Sequence, residues 1–183
     1  DGFTNNGDIT IKPVSENEYS ISGGIAYCDN GSNNLTFNLK DMTNNGNITV
    51  TTGKADGSQY DIKHTRIAGL YAMTQRGTST SKTYTHTFEN LKNFGDISVS
   101  KVKADNGSNG GTITVGGVLG LCYYTATASN LYSNCDINVT DCTSLGNTYL
   151  GVLVGGFQSD VKMGTGNSVG GSLNGVTLTE ENY

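Results

Sequence analysis

The segment FTNNGDITI at residues 3–11 recurs as MTNNGNITV at 42–50, LKNFGDISV at 91–99 and LYSNCDINV at 131–139. The four segments align without a gap, and their starts are 39, 49 and 40 residues apart. Each ends in an apolar–polar–apolar triplet, the period-2 pattern of a strand with one buried face. This spacing predicts that successive copies stack, with equivalent residues adjacent. The aligned apolar columns are Phe3, Met42, Leu91 and Leu131; Ile9, Ile48, Ile97 and Ile137; and Ile11, Val50, Val99 and Val139.

Two further elements recur between these segments. Small residues followed by an aliphatic residue indicate a strand entered through a tight corner. They occur at 23–25, 68–70, 116–118 and 151–153. An alternating stretch such as Leu35–Leu39 precedes the nine-residue segment, and a degenerate fifth copy at 175–178 places Val176 in the column of Ile137. We therefore predict an all-β fold, a right-handed parallel β-solenoid of about four three-stranded coils. A sandwich of hairpins, the competing all-β arrangement, would not need registered copies.

The composition of the chain indicates a folded protein and limits its partners. Of the 183 residues, 34% are hydrophobic, the net charge is −5, and there are 26 Gly, 24 Thr and 21 Asn. Registered apolar positions and low net charge argue against disorder. We expect one domain over 1–183. Because the first residues already belong to a repeat, we expect the chain to be part of a longer surface protein, or its ends to be capped by unusual strands. The 11 scattered Lys and Arg residues predict no nucleic-acid partner, and no apolar run is long enough for a membrane span.

Two glycine-rich segments and one Asn-Cys segment resemble the GLUG-type repeats of bacterial surface proteins. These are VGGVLG at 115–120, LGVLVG at 150–155 and SNCDI at 133–137. Family members carry a Gly-Gly-Leu-Val-Gly strand and an Asn-Cys-x-x-x-Gly-x-Val strand in each repeat. The resemblance covers most of residues 3–178. It implies an exported protein of the bacterial cell surface, adhesin-like, with no catalytic residue to transfer.

The cysteines and histidines are interpreted as structural or surface residues. Stacking would separate Cys28 from Cys122 by two coils, about 9.6 Å, whereas disulfide Cα atoms lie within about 7 Å. Cys135 falls in a glycine column and Cys142 lies beyond the same strand, so we expect free thiols. No Cys-x-x-Cys spacing indicates a metal. His64 and His86 stand in polar sequence and are predicted to be surface or loop residues.

Recurring acidic residues form one column, Asp8, Asp96 and Asp136, with Asn47 in the same place. Stacked carboxylates could act as an acid–base pair or bind a cation. The exchange of Asn for Asp favours a turn role, in which the side-chain oxygen accepts a backbone N–H. The string DNGSN at 29–33 and 105–109 has calcium-loop character without the glutamate at position twelve, and is interpreted as turns.

Four tyrosines form the candidate binding set: Tyr123, Tyr124, Tyr132 and Tyr149. Their rings could stack on a sugar or a protein partner. Polar insertions at 53–63, 75–82 and 101–111 are expected to project as loops. We expect a non-catalytic surface module that binds a glycan or a partner protein, with no catalytic residue, metal or cofactor. Two alternatives remain open, a polysaccharide-active β-helix enzyme and a purely structural spacer.

Overall fold

A computed structural model describes residues 2–28, 35–54, 58–73, 84–105, 110–123, 125–157 and 161–178. Within these ranges the chain is all-β and contains no helix. None of the described segments therefore supplies a helix with the length and apolarity needed to cross a bilayer. The strands in these ranges are Thr4–Asn5 (β1), Ile9–Ile11 (β2), Tyr19–Ser22 (β3), Leu35–Asn44 (β4), Ile48–Thr51 (β5), His64–Ala68 (β6), Tyr71–Met73 (β7), Tyr84–Asn93 (β8), Ile97–Ser100 (β9), Lys103–Ala104 (β10), Thr112–Gly116 (β11), Leu119–Cys122 (β12), Ala126–Ser129 (β13), Tyr132–Thr140 (β14), Thr143–Ser144 (β15), Thr148–Gly151 (β16), Val154–Phe157 (β17), Val161–Met163 (β18), Ser168–Leu173 (β19) and Val176–Thr177 (β20).

The strands pair in parallel with their equivalents in the next repeat. Ile48 pairs with Ile9 on one side and with Ile97 on the other, and Ile97 pairs in turn with Ile137. The column of Met42 and Leu91 pairs in the same way. These registers confirm the predicted alignment of the nine-residue segments, whose period-2 pattern directs one face of every strand inward.

The segments above belong to one 11-stranded sheet, which contains β1, β2, β4, β5, β8, β9, β13, β14, β18, β19 and β20. Three further sheets contain the other described strands. Their orders are β3-β6-β11-β16, β7-β12-β17 and β10-β15, with every neighbouring pair parallel. Ala68 pairs with Ser22 and Gly116, and Gly116 pairs with Gly151. The small-residue segments therefore align as predicted except in the first repeat, where the equivalence is shifted by one residue.

The predicted alignment of the fifth copy, with Val176 in the column of Ile137, is wrong. Leu173, not Val176, pairs with Ile137. Val176 instead pairs antiparallel with Leu173 in the β19–β20 hairpin, and its side chain is 60% exposed. The hairpin turns at Asn174 and Gly175, which have φ of 48° and 81°. Both residue types adopt left-handed backbone readily, so the local turn overrides the repeat spacing.

The core lies between the sheets as two apolar clusters. The first joins β5, β9 and β14 to β6 and β11, with Ile48, Ile97, Ile67 and Ile113 fully buried. The second joins β4, β8 and β13 to β7 and β12. Tyr71 lies in this second cluster and is fully buried. Each residue is covered by its neighbours in adjacent repeats, which is why a low apolar fraction suffices.

A buried amide ladder connects the corners between β1 and β2, β4 and β5, and β8 and β9. Asn44 Nδ2 donates to Asn93 Oδ1 at 2.7 Å and to its own corner carbonyl, Gly46 O, at 2.8 Å. Asn5 Nδ2 donates to Asn44 Oδ1 at 2.7 Å. A Cβ at Gly95 would overlap the carbonyl oxygen of Gly46. The Asn-x-Gly pattern is thus explained by amide pairing and by close approach of successive corners.

The fourth copy lacks this corner. Ser133 pairs with Asn93, and Cys135 falls in the glycine column as predicted. With Ser-x-Cys in place of Asn-x-Gly, β14 runs without a break from Tyr132 to Thr140. Ser133 Oγ and Cys135 Sγ are in contact at 3.3 Å, and both residues are buried.

Residues with a left-handed backbone recur at a second aligned position, where they bend the chain. Asp41, Asn90 and Asn130 have φ of 56°, 55° and 52°. Asp41 and Asn90 interrupt the extended backbone within β4 and β8, and Asn130 lies between β13 and β14. Asp and Asn tolerate the left-handed region better than other non-glycine residues, because their short polar side chains bond locally.

Two predicted loops are partly wrong. Ile62, inside the predicted 53–63 insertion, is fully buried, and Asp61 bridges to Lys103. Val102 and Ala104, inside the predicted 101–111 insertion, are also fully buried, and β10 pairs with β15. Residues 84–122 consequently hold five strands, β8 to β12, rather than three. The 75–82 insertion lies outside the described residues.

Candidate functional site

A cleft forms where the outer faces of two sheets meet. In β6 and β11, Thr65, Ile67 and Ile113 lie on the buried inner face, so Arg66 and Thr114 lie on the opposite face. The chain turns at Gly117 and returns as β12, which brings a second sheet across that face. The cleft has a volume of about 110 Å³. It is lined by His64, Arg66, Thr112, Thr114, Leu121, Tyr123, Tyr149, Gly156 and Phe157.

Glycines allow the two sheets to approach this closely. A Cβ at Gly116 would overlap the carbonyl oxygen of Leu119. A Cβ at Gly155 would lie 2.8 Å from Thr114 Cγ2 and 2.8 Å from Val115 O. The glycine-rich segments that suggested tight corners thus bring β12 and β17 over the outer faces of β11 and β16.

Arg66 and Thr114 form the polar floor. The Arg66 side chain is 5% exposed, and its Nη1 donates to Glu18 Oε2 at 3.0 Å. Glu18 itself is 51% exposed. Arg66 Nε and Thr114 Oγ1 are buried and have no hydrogen-bond partner within the described residues. A buried donor without an acceptor is costly, so these two atoms are notable features of the cleft.

His64 contributes a neutral imidazole at one side. The backbone N–H of Thr112 donates to His64 Nδ1 at 3.2 Å, and Thr112 Oγ1 lies 3.0 Å from the same nitrogen. Because Nδ1 accepts, we assign the ring proton to Nε2. Burial and the positive charge of Arg66 lower the pKa of His64. The ring is therefore uncharged and a hydrogen-bond donor at neutral pH.

Two of the four predicted tyrosines line this cleft. Tyr149 is 41% exposed, and its hydroxyl accepts from Asn147 Nδ2 at 2.7 Å. Tyr123 lies on the same cleft, beside Phe157, which is 49% exposed. The structure therefore brings Tyr123 and Tyr149 together and adds a third ring that the sequence did not indicate.

Tyr132 is not among the residues that line the cleft. Tyr132 packs against Phe94, with ring centroids 5.3 Å apart, in an open depression of about 440 Å³. Lys92 also lines that depression and pairs with Tyr132. Tyr124 lies outside the described residues, as do the first DNGSN string and positions 106–109 of the second.

Arg66, His64 and Thr114 were missed from sequence. Arg66 aligns with Ser20 and Thr114 in the neighbouring repeats. In the sequence, this set of residues is typical of the solvent-exposed face of a strand. Only the return of β12 and β17 over that face buries the guanidinium. A period-2 pattern identifies the face of a strand but not what covers it, so the available signal was a lone Arg between the inward residues Thr65 and Ile67.

The prediction of a surface histidine is wrong for His86, whereas His64 is partly exposed at the cleft. His86 is 1% exposed and pairs with Phe37 and Ala126. Its ring lies 5.6 Å from that of Phe37 and 6.1 Å from that of Phe88. Burial lowers its pKa to about 4. Flanking Thr85 and Thr87 gave the segment a polar appearance, whereas alternation with Phe88 directs His86 inward.

The Asp column has the predicted turn role. Asn47 N donates to Asp8 Oδ1 at 2.8 Å, Asp96 N to Asn47 Oδ1 at 2.9 Å, and Asp136 N to Asp96 Oδ1 at 2.9 Å. Each side-chain oxygen thus holds the backbone of the next repeat. No cluster of three His, Cys, Asp or Glu side chains that could hold a metal occurs in the part of the chain described here.

The cysteines are core and corner residues. Cys122 and Cys135 are buried, and burial raises the pKa of Cys122 to about 12 and raises that of Cys135. The Cys142 thiol donates to Thr140 O at 3.1 Å. Cys28 N donates to Met73 O at 3.0 Å, which places Cys28 and Cys122 two repeats apart, as the stacking argument required.

Comparison of the chain with protein-family models, with curated proteins and with solved structures found no match.

Proposed function

We propose that this chain is a non-catalytic binding module built on a right-handed parallel β-solenoid of about four coils. The solenoid is supported by the parallel pairing of every repeat with the next, in registers 39, 49 and 40 residues apart. The two apolar clusters between facing sheets support it further, because each repeat alone would leave its apolar face uncovered.

The observation that carries the binding function is the cleft lined by Tyr123, Tyr149 and Phe157. Ligand sites combine concave apolar and aromatic walls with a few placed polar groups, and here Arg66 and Thr114 supply the polar groups. Aromatic rings offer flat faces for sugar rings. The ligand is therefore a glycan, or a glycan-bearing surface protein, and the GLUG-like segments favour an extracellular location on a bacterial surface.

Two findings favour binding over catalysis. The described residues that line the cleft include no carboxylate, whereas glycan hydrolysis uses a pair of them. The Asp column is engaged in hydrogen bonds to backbone N–H groups of the next repeat. A polysaccharide-active enzyme and a structural spacer remain the alternatives that an experiment must separate.

The test is a glycan-binding screen with matched variants and a turnover assay. We expect millimolar to micromolar binding that is lost in Tyr149→Ala and retained in Tyr132→Ala, because Tyr132 lies in the other depression. No product should form from any polysaccharide. Products that disappear in an Asp96→Asn, Asp136→Asn double variant would favour the enzyme. Absence of binding to every glycan would favour the spacer.

A further inference from the structure

We propose that the cleft binds the carboxylate group of an acidic sugar, with Arg66 and Thr114 as its principal ligands. This inference rests on the proposed glycan-binding function and specifies the class of glycan. It begins from the buried donors on the cleft floor, which the repeat architecture does not require. In the first repeat, the position of Arg66 is held by Ser20.

The geometry of the guanidinium leaves one edge for a ligand. Glu18 Oε2 contacts Nη1, at 3.0 Å. The N–H bond of Nε points away from Nη1, because the planar guanidinium directs its donors outward in a fixed fork. Nε has no hydrogen-bond partner within the described residues. Arg66 can therefore retain Glu18 on one side and receive a second carboxylate on the other, which is the geometry that arginine uses for charge-assisted pairs.

Thr114 and His64 provide additional donors. Thr114 Oγ1 is buried in the same cleft without a partner within the described residues. His64 Nδ1 accepts from Thr112 N, so its Nε2 carries the proton. Arg66 Nε and Thr114 Oγ1 lack an acceptor within the described residues, and the residues that line the cleft include no acidic side chain to supply one. A ligand carboxylate, with its two oxygens, would satisfy buried donors that otherwise destabilise the fold.

The exposure of the lining residues indicates how a sugar would be oriented. Arg66 and Thr114 are buried on the floor of the cleft, whereas Tyr149 and Phe157 are 41% and 49% exposed. The carboxylate would point to the floor, and the sugar ring would lie against the exposed faces of Tyr149 and Phe157.

The net negative charge of the protein helps to distinguish a local carboxylate site from general attraction of anions. The chain carries a net charge of −5, so long-range electrostatics oppose the approach of any polyanion. Preference for an acidic glycan over its neutral counterpart would therefore report a local site rather than general attraction. The Lys92 depression near Tyr132 offers a matched control, because it combines a cation with aromatic rings, and its described lining residues include no buried unpartnered donor.

The experiment titrates the protein with four oligosaccharides by calorimetry and by NMR. The probes are a glucuronate trisaccharide, a sialylated trisaccharide, and for each the neutral counterpart of identical linkage. We expect at least one acidic probe to bind tenfold or more tightly than its counterpart, and comparison of the two identifies the acidic sugar. Thr114→Val keeps the shape of the side chain and should weaken that binding about fivefold. Arg66→Gln should abolish the preference, and Lys92→Gln should leave it unchanged.

The outcomes separate the two proposals. Equal binding of acidic and neutral probes at Tyr149 would overturn the carboxylate inference and leave the binding function intact. Binding of the acidic probe that Thr114→Val and Arg66→Gln leave unchanged would place the carboxylate elsewhere and also overturn it. Failure of all four probes, and of the wider glycan screen, would overturn both. If Arg66→Gln does not fold, the Thr114→Val result alone decides.

Discussion

Asp96 Oδ1 accepts a hydrogen bond from the backbone N of Asp136 at 2.9 Å, although the two residues are 40 positions apart in sequence. The same bond links Asn47 to Asp8 and Asp96 to Asn47. At the far end, Ser172 Oγ donates to Asp136 Oδ1 at 2.8 Å. Side-chain oxygens on the surface thus add to the backbone hydrogen bonds that link successive repeats, such as Ile48 N to Asp96 O at 2.8 Å.

We therefore expect Asp96 to stabilise the fold as a hydrogen-bond acceptor, with little contribution from its negative charge. Asp96→Asn should change the free energy of unfolding by less than about 0.5 kcal/mol, because Asn47 makes the same bond in the preceding repeat. Asp96→Ala should destabilise by about 1 kcal/mol, since the Asp136 N–H loses its acceptor. Urea denaturation measures both, and hydrogen exchange at the Asp136 amide should quicken only in the alanine variant. Equal destabilisation by the two variants would contradict the acceptor role.

The aligned corner glycines allow a test of how closely the corners of successive repeats approach each other. Gly95→Ala should destabilise by about 3 kcal/mol, because its Cβ would overlap a backbone carbonyl that cannot move aside easily. This corresponds to a fall in Tm of roughly 6–12 °C for a chain of this size. Gly7→Ala is the matched control, because its Cβ would meet only Asn5 Oδ1, at 3.8 Å. Similar melting temperatures for the two variants would show that the corners do not stack as described.

The amide ladder can be tested with two adjacent asparagines. Asn44→Ala removes a part-buried bond to Asn5 and two buried bonds, to Asn93 and Gly46, and should cost about 3 kcal/mol at roughly 1 kcal/mol each. Asn45→Ala removes an exposed bond to Asn6 Oδ1 and should cost less than about 1 kcal/mol. Thermal and chemical denaturation give both values. A ratio near one would argue against the ladder as a source of stability.

His86 should make stability depend on acid. Its pKa is about 4 in the folded protein, below the ordinary 6.5, so protonation favours the unfolded chain. The stabilisation is complete above pH 6.5 and declines as the pH falls through 4, by on the order of 3 kcal/mol in total. His86→Phe, which copies Phe37 in the adjacent repeat, should lack this component. The measurement is the difference in unfolding free energy between the two proteins at pH 7 and at pH 4, in which shared carboxylate effects cancel.

The columns were predictable because one inward position repeats at a nearly constant interval. Ile48, Ile97 and Ile137 needed no knowledge of the rest of the fold, since stacking follows from their spacing alone. His86 and Arg66 were not predictable in this way, because their burial depends on which sheet covers them. Val176 was misplaced because a local Asn174-Gly175 turn competes with the repeat. The candidate site combines residues from five strands or their ends, so only its tyrosines attracted attention in the sequence.

The parallel pairing of each repeat with the next has a mechanical consequence. The described chain begins beside β1 and ends beside β20, on the first and last strands of the paired columns. A force that separates these two ends acts along the hydrogen bonds between repeats rather than across the strands. It loads the outermost repeat first and opens its bonds in sequence. We therefore expect extension under tension to proceed in discrete steps, each releasing about 40 residues of chain, with little resistance at any single step.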